Sequence, residues 1–397
     1  MTLTIHRGTD QIGGCVTEIT SGKYRLFIDI GKNLPGCKTA LPPVNGLTTG
    51  DGSNSFLFLT HYHGDHIGNL DKVLPGIPVY LGETAKAIQL TLAKRTCPEK
   101  LPMFERIETF TPGAHKKAGD FTVTTLMIDH SAFDAYMFLI ECEGCRVLHT
   151  GDFRMHGQRG SKMPGMLSSY ASNVDYVICE GTMLSRDGAP PISEHELQRR
   201  AKKMMETTPN VFVLCSSTNI DRISAFYHAN PKGRYFICDS YQKEILDEIT
   251  EEHGKKTECY DFKYALSYGL NLDKRMDENG FCMLVRKNNN RLVKNVLDKY
   301  KDNCLMIYSM WDGYLDGEAK DQKLCDFLAP YRDNPDRYKE LHTSGHAPPE
   351  DLKRLFLTVN PNKGLIPIHS EKPELFRKII PEDKLFFIRD REVFQLT

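Results

Sequence analysis

Thr60-His61-Tyr62-His63-Gly64-Asp65-His66 sets four metal-ligand side chains within six residues, directly behind the apolar run Phe56-Leu57-Phe58-Leu59. The apolar run predicts a buried strand, so the cluster falls where a strand ends and a loop begins. On extended backbone His61 and His63 project to the same side and can share one metal. Asp65 and His66 follow on the turn and can hold a second ion beside it. With 14 histidines and 52 acidic residues in 397, composition alone yields this arrangement in about two of a thousand such chains, so we read a metal site and not loop histidines. Imidazole and carboxylate without thiolate suit Zn2+ first and Mn2+ second, and argue against a closed structural zinc.

The length predicts two domains. A composition of 40% hydrophobic and 26% charged residues is that of a soluble protein, and no apolar run approaches the ~18 residues of a membrane span. The twelve cysteines are scattered, mostly inside apolar runs such as Val177-Ile178-Cys179, as buried thiols in a reducing, cytoplasmic compartment are. Cys142-Glu143-Gly144-Cys145 reads as a hairpin turn and not as a redox or metal pair. A net charge of −1 does not announce a nucleic-acid partner, but local basic runs such as Arg199-Arg200-Ala201-Lys202-Lys203 leave room for one.

Working outward, residues 3–30 read as antiparallel strands, with Asp29 closing the third in Phe27-Ile28-Asp29-Ile30-Gly31. Residues 34–55 read as loop, 68–74 and 83–94 as helix, and 98–112 as an extended connection. The strand over 121–128 leads to Asp129-His130-Ser131. A hairpin over 136–149 leads to Thr150-Gly151-Asp152, and a strand over 174–179 leads to Glu180. Ligand-type side chains thus recur just past strand ends, which lets distant segments build one pocket. A capping box at Ser193 to Glu196 opens a helix. From there strands and helices alternate, predicting an open, mostly parallel α/β sheet over 192–338. Arg222, one turn into a helix that follows a strand end, is a candidate phosphate contact. Beyond 338 the pattern of strand ends bearing ligand-type residues resumes, with His342-Thr343-Ser344-Gly345-His346 and a strand ending Ile366-Pro367-Ile368-His369.

Chemically, His61, His63 and His130 can hold one ion and Asp65, His66 and His369 another, with the two-oxygen carboxylate of Asp152 bridging. Such a pair suits phosphoryl or acyl hydrolysis. The leaving oxygen needs a proton, which His346 can give if Glu180 holds it as imidazolium. His342, Ser344 and the backbone N–H of Gly345 are candidates for a neighbouring phosphate.

In these residues the chain resembles the metallo-β-lactamase superfamily, through His61 to His66, His130 and Asp152. Its continuation resembles the β-CASP branch of ribonuclease J type. An acid after a strand (Glu180) precedes an inserted α/β domain, then the His342-to-His346 segment, then the strand ending at His369, and Asp29 matches the first acidic motif. The resemblance implies an α/β fold: an αββα core over 1–191 and 339–397, interrupted by a β-CASP domain at 192–338. It implies a nucleic acid held between the domains, with His369 marking the RNA-directed members. It also implies Asp65, Glu180 and His346 as catalytic residues, Asp29 in support, and a short form without the C-terminal domain of ribonuclease J. The expected function is therefore a ribonuclease carrying two Zn2+ ions, endonucleolytic with 5′-exonuclease action open, on single-stranded RNA. The rivals are a DNA nuclease or small-nucleotide phosphodiesterase of the same fold, and a non-catalytic scaffold subunit. A homodimer is compatible with this reading, and a membrane partner is not expected.

Overall fold

A computed structural model describes residues 1–37, 39–186 and 188–397. The chain divides into two compact units, one formed by Met1–Pro190 with Gly345–Thr397 and the other by Pro191–Ser344.

Two sheets build the first unit. In spatial order, the first runs Val393–Gln395, Thr2–Arg7, Val16–Ser21, Tyr24–Ile28, Ser55–Phe58, Val79–Gly82 and Glu108–Phe110. The second runs Gly364–Ile368, Tyr176–Glu180, Cys145–His149, Tyr136–Cys142, Phe121–Met127 and His115–Ala118. Apolar side chains of both sheets merge into one core, in which Ile28 and Phe58 of the first join Phe121, Phe138 and Ile178 of the second. Phe58 meets Phe138 edge-on at 5.6 Å and stacks on Tyr80 at 4.6 Å, the offset geometries aromatic rings prefer. The outer face of the second sheet is covered by helices Met163–Tyr170 and Pro349–Val359, through Leu167, Leu352 and Leu355. Helix Glu83–Thr96 lies on strand Val79–Gly82 of the first sheet and buries Ala85, Ile88 and Ala93. Helix, sheet, sheet, helix is the layering expected, because each sheet has one apolar face for the other and one for a helix.

Strand direction decides what this layering can display. Phe121–Met127, Cys145–His149, Tyr176–Glu180 and Gly364–Ile368 all run the same way, with Tyr136–Cys142 the antiparallel exception among them. Their carboxyl ends share one edge. At the Cys142–Cys145 hairpin Glu143 and Gly144 take φ 51° and 77°, the pair of left-handed residues a tight two-residue turn requires.

The second unit carries an all-parallel six-stranded sheet: Ala265–Ser267, Tyr235–Cys238, Phe281–Val285, Asn210–Leu214, Leu305–Tyr308 and Tyr338–Glu340. Helices cross between its strands, and one face packs Val293, Leu297, Leu324 and Leu328 onto Phe212, Met283 and Met306. The sequence boundary at 338 cuts into this sheet, since Tyr338–Glu340 pairs with Leu305–Tyr308 and the unit runs on to Ser344. Residues 98–112 are not an extended connection either. Pro98 and Pro102 sit at the starts of a 3-10 turn and of helix Leu101–Glu105, where a missing N–H costs nothing, and a strand follows at Glu108–Phe110. Of the helix expected over 68–74, only the 3-10 turn Leu70–Lys72 forms.

Candidate metal centre

Asp29 stands one residue past strand Tyr24–Ile28 in left-handed backbone, φ 61°, which turns its carboxylate across to the end of the next strand. There it accepts from the Thr60 N–H at 2.7 Å, the Thr60 hydroxyl at 2.8 Å and His66 Nδ1 at 2.8 Å. With its proton given to Asp29, the Thr60 hydroxyl accepts from His61 Nδ1 at 3.1 Å. Each bond fixes a tautomer. Nδ1 of both histidines carries hydrogen, and both Nε2 atoms face the cluster, where a metal ion would take their lone pairs.

The other strand ends contribute in the same way. His130 follows Phe121–Met127 and donates Nδ1–H to the carbonyl of Gly345 at 2.7 Å, so its Nε2 faces His63 Nδ1 at 3.2 Å. A Cβ on Gly345 would overlap Ser131 Oγ and stand 3.3 Å from His130 Cε1, so only glycine allows the carbonyl this approach. Gly31 is constrained likewise, because a Cβ there would run into the backbone carbonyl of Asp65. Asp152 follows Cys145–His149 and sits 3.0 Å from His66 Nε2. His369 follows Gly364–Ile368 with φ 50°, and its Nδ1 lies 2.8 Å from the Thr182 hydroxyl. Its Nε2 is 3.4 Å from Asp65 and 3.6 Å from Asp152.

The ligand atoms of His61, His63 and His130 fall within 4.8 Å of one another, as do those of Asp65, His66, Asp152 and His369. A third grouping joins Asp152, Glu180, His346 and His369 within the same limit. Asp152 and His369 are each shared by the second and third groupings. His61 Nε2 and His369 Nε2 are buried with no hydrogen-bond partner among the described residues, an expensive state unless a cation completes it. Buried imidazoles and carboxylates with orphaned lone pairs fit divalent metal ions.

The electrostatics agree. Burial, the largest cause in each case, pushes the imidazoles of His61 and His130 well below their ordinary value and brings His63 down to about 4. At neutral pH all three are uncharged, as metal ligands must be. Around His66 burial opposes charge, but Asp152, Asp29 and Asp65 outweigh it and hold this imidazole well above its usual range. That half of the cluster attracts a cation, whether a proton or a metal. Asp152 stays well below the carboxylate range, with the imidazoles of His369, His66 and His346 overcoming its burial.

Glu180 is fully buried. It accepts from the backbone N–H of Phe153 and Thr182 at 3.1 Å each and from His346 Nδ1 at 3.2 Å. His346, partly exposed, is raised because Glu180 and Asp152 outweigh its burial. Arg222 corrects the sequence reading. It is fully buried in the second unit, with Nε and Nη2 on Glu194 at 3.0 Å, Nη1 on Ser309 and Nη2 on the carbonyl of Thr343, so it has no face left for a phosphate. His342 lies beside it, 3.1 Å from Nη1, and Ser344 is half-buried in the same unit. Thr60 and Thr182 are the residues sequence reasoning missed. Their one signal was adjacency, Thr60 directly before His61 and Thr182 two residues after Glu180.

Two packed sheets with helices outside, a His-x-His-x-Asp-His turn and further candidate ligands past three parallel strand ends have the layout of a metallohydrolase domain. The sequence profile of the metallo-beta-lactamase superfamily matches residues 55–173, so the chain carries a domain of that superfamily. Within it the chain is similar to ribonuclease J. The Mycobacterium tuberculosis protein (strain CDC 1551 / Oshkosh) is 27% identical over 56% of this chain and 41% of its own length. Ribonuclease J of Helicobacter pylori (strain ATCC 700392 / 26695) is 22% identical over 96% of the chain and 59% of the relative, and that of Mycoplasma genitalium is 22% identical over 92% and 67%. The chain therefore spans between about two fifths and two thirds of these relatives. A crystal structure of a protein of unknown function from Enterococcus faecalis V583 shares the fold over 99% of both chains, with TM-score 0.77 and 20% identity.

Proposed function

We propose that this protein is a metal-dependent ribonuclease that hydrolyses phosphodiester bonds of single-stranded RNA. It acts as an endonuclease with 5′-exonuclease action open to it, and its unit Pro191–Ser344 is a β-CASP domain. The carrying observation is the pair of ligand groups, His61/His63/His130 and Asp65/His66/Asp152/His369, with orphaned Nε2 atoms in each. We assign two Zn2+ ions to them, with Mn2+ as a substitute, and place the protein in the cytoplasm. All twelve cysteines are free, and among the described residues no helix is long and apolar enough to cross a membrane.

Divalent ions held there supply Lewis-acid polarisation of the phosphodiester and acidify a water. The chain does the rest. Asp29 and Thr60 fix the tautomers of His66 and His61, and Thr182 orients His369. Glu180 holds His346 through Nδ1, which leaves the proton on Nε2 for the departing oxygen. His342, Ser344 and the Gly345 N–H are assigned to phosphates of the RNA. Similarity to ribonuclease J supports RNA as substrate.

Metal content of the purified protein, measured with cleavage of matched RNA and DNA oligomers bearing 5′-monophosphate or 5′-triphosphate, tests the proposal. Two metals per chain and RNA cleavage abolished by chelation support it. Full hydrolysis by metal-free protein, or equal cleavage of DNA, ends it.

A further inference from the structure

We infer that Arg222 is a positioning residue that locks His342 as the neutral imidazole with hydrogen on Nε2. The inference rests on the assignment of His342 to an RNA phosphate and adds what that contact must be. Arg222 Nη1 and His342 Nδ1 are 3.1 Å apart. A guanidinium has five N–H donors and no acceptor, so Nδ1 must present its lone pair. An imidazolium would set N–H against N–H and two positive charges at contact distance. The remaining hydrogen of the neutral ring is therefore on Nε2.

The guanidinium cannot turn away from this task. The two hydrogens of Nη1 are shared among His342 Nδ1, the Ser309 carbonyl at 3.1 Å and the Ser309 hydroxyl at 2.7 Å, Nε and Nη2 grip Glu194, and Nη2 donates to the Thr343 carbonyl at 3.0 Å. Arg222 and Glu194 are both fully buried, so neither is screened by water. Cys215, which also lies beside them, is pushed up by burial to about 12 and stays a neutral thiol. Arg222 thus faces His342 as a fixed cation at every physiological pH, and His342 can only donate from Nε2. Such a donor takes an acceptor, which a phosphate oxygen is and an N–H group is not, and its strength does not vary with pH.

The test is a spectrum of the full-length metal-loaded protein carrying 15N-labelled histidine, with the His342 signals identified by their loss in His342→Gln. Between pH 5.5 and 8, one nitrogen in the pyridine-type range and one bearing hydrogen, both unchanged with pH and assigned to Nδ1 and Nε2 respectively, is the expected result. The opposite tautomer, or a ring that takes up a second proton in that range, overturns the inference without touching the ribonuclease reading. In Arg222→Met combined with Glu194→Gln, which strands no buried charge, His342 should titrate near the ordinary value of about 6.5. If that variant does not fold, Arg222→Lys, which has one arm to share among these acceptors, takes its place. A His342 ring that keeps its tautomer in the folded variant shows that Arg222 is not its cause. KM for single-stranded RNA should rise roughly tenfold with kcat kept, the weight of one hydrogen bond to a charged acceptor. An altered tautomer with unchanged KM supports the lock and removes His342 from the RNA contacts.

Discussion

Replacing Asp29 by asparagine removes one oxygen from a carboxylate that accepts three hydrogen bonds, two from Thr60 and one from His66 Nδ1. If the amide oxygen keeps the Thr60 N–H, the new NH2 group stands where Oδ2 received the Thr60 hydroxyl and His66 Nδ1–H. His66 must then accept at Nδ1, which keeps a hydrogen on Nε2 and leaves no lone pair there for an ion in the second group. If the amide turns round, NH2 meets the backbone N–H of Thr60, and a buried donor loses its partner at about 1–3 kcal/mol. The first orientation is the cheaper, so Asp29→Asn should weaken the Asp65/His66/Asp152/His369 position selectively. Loss of an outer carboxylate partner is worth roughly 10–100-fold in metal affinity, or about 1.4–2.8 kcal/mol. Dialysis of wild type and variant against graded chelator, with metal counted per chain, reads this directly. The variant should release its first equivalent at 10–100-fold lower chelator and retain the other. If both equivalents leave together, or at the wild-type concentration, the tautomer argument is wrong.

His346→Ala should keep both metals and slow RNA cleavage by roughly 10²–10⁴, with a p-nitrophenyl diester restoring much of the rate because its leaving group needs no proton. His369→Ala should lose metal as well as activity, so metal analysis beside kinetics separates the two histidines. Arg222→Ala leaves the Glu194 carboxylate buried and unpaired, which should cost the second unit about 3–5 kcal/mol, read as an unfolding transition at lower urea. Gly345→Ala should push Ser131 and the His130 ring aside and lower activity by about 10–100-fold, and adding Ser131→Gly should return part of it.

What the sequence disclosed and withheld follows from the reach of each kind of signal. The cluster of candidate ligands was legible because a strand end is a local event: an apolar run followed by His or Asp says where the side chain stands, whatever sheet the strand joins. Their proximity also followed, since strands running the same way bring their ends to one edge. Arg222 was misread for the opposite reason. Its partners Glu194, Ser309 and Thr343 are remote in sequence, and a lone arginine beside a strand end looks the same whether it faces water or a buried carboxylate. Thr60 and Thr182 escaped because a hydroxyl that orients a histidine leaves no periodicity. The prolines at 98 and 102 read as breakers, although the same ring constraint opens a helix as readily as it ends one.

The interruption of the first unit between Pro190 and Gly345 also has a consequence in time. On a ribosome the chain emerges from its amino end, and His61, His63 and His130 are all present long before His369. The strand Gly364–Ile368, which pairs in register with Tyr176–Glu180, must wait until the whole of Pro191–Ser344 has been made. Closing so long a loop is cheaper once the intervening segment has folded and drawn its own ends inward. The Gly345 carbonyl that orients His130 comes just as late, so both candidate positions are completed only after the second unit has been made. A chain cut short in its second unit therefore lacks both His369 itself and the carbonyl that orients His130.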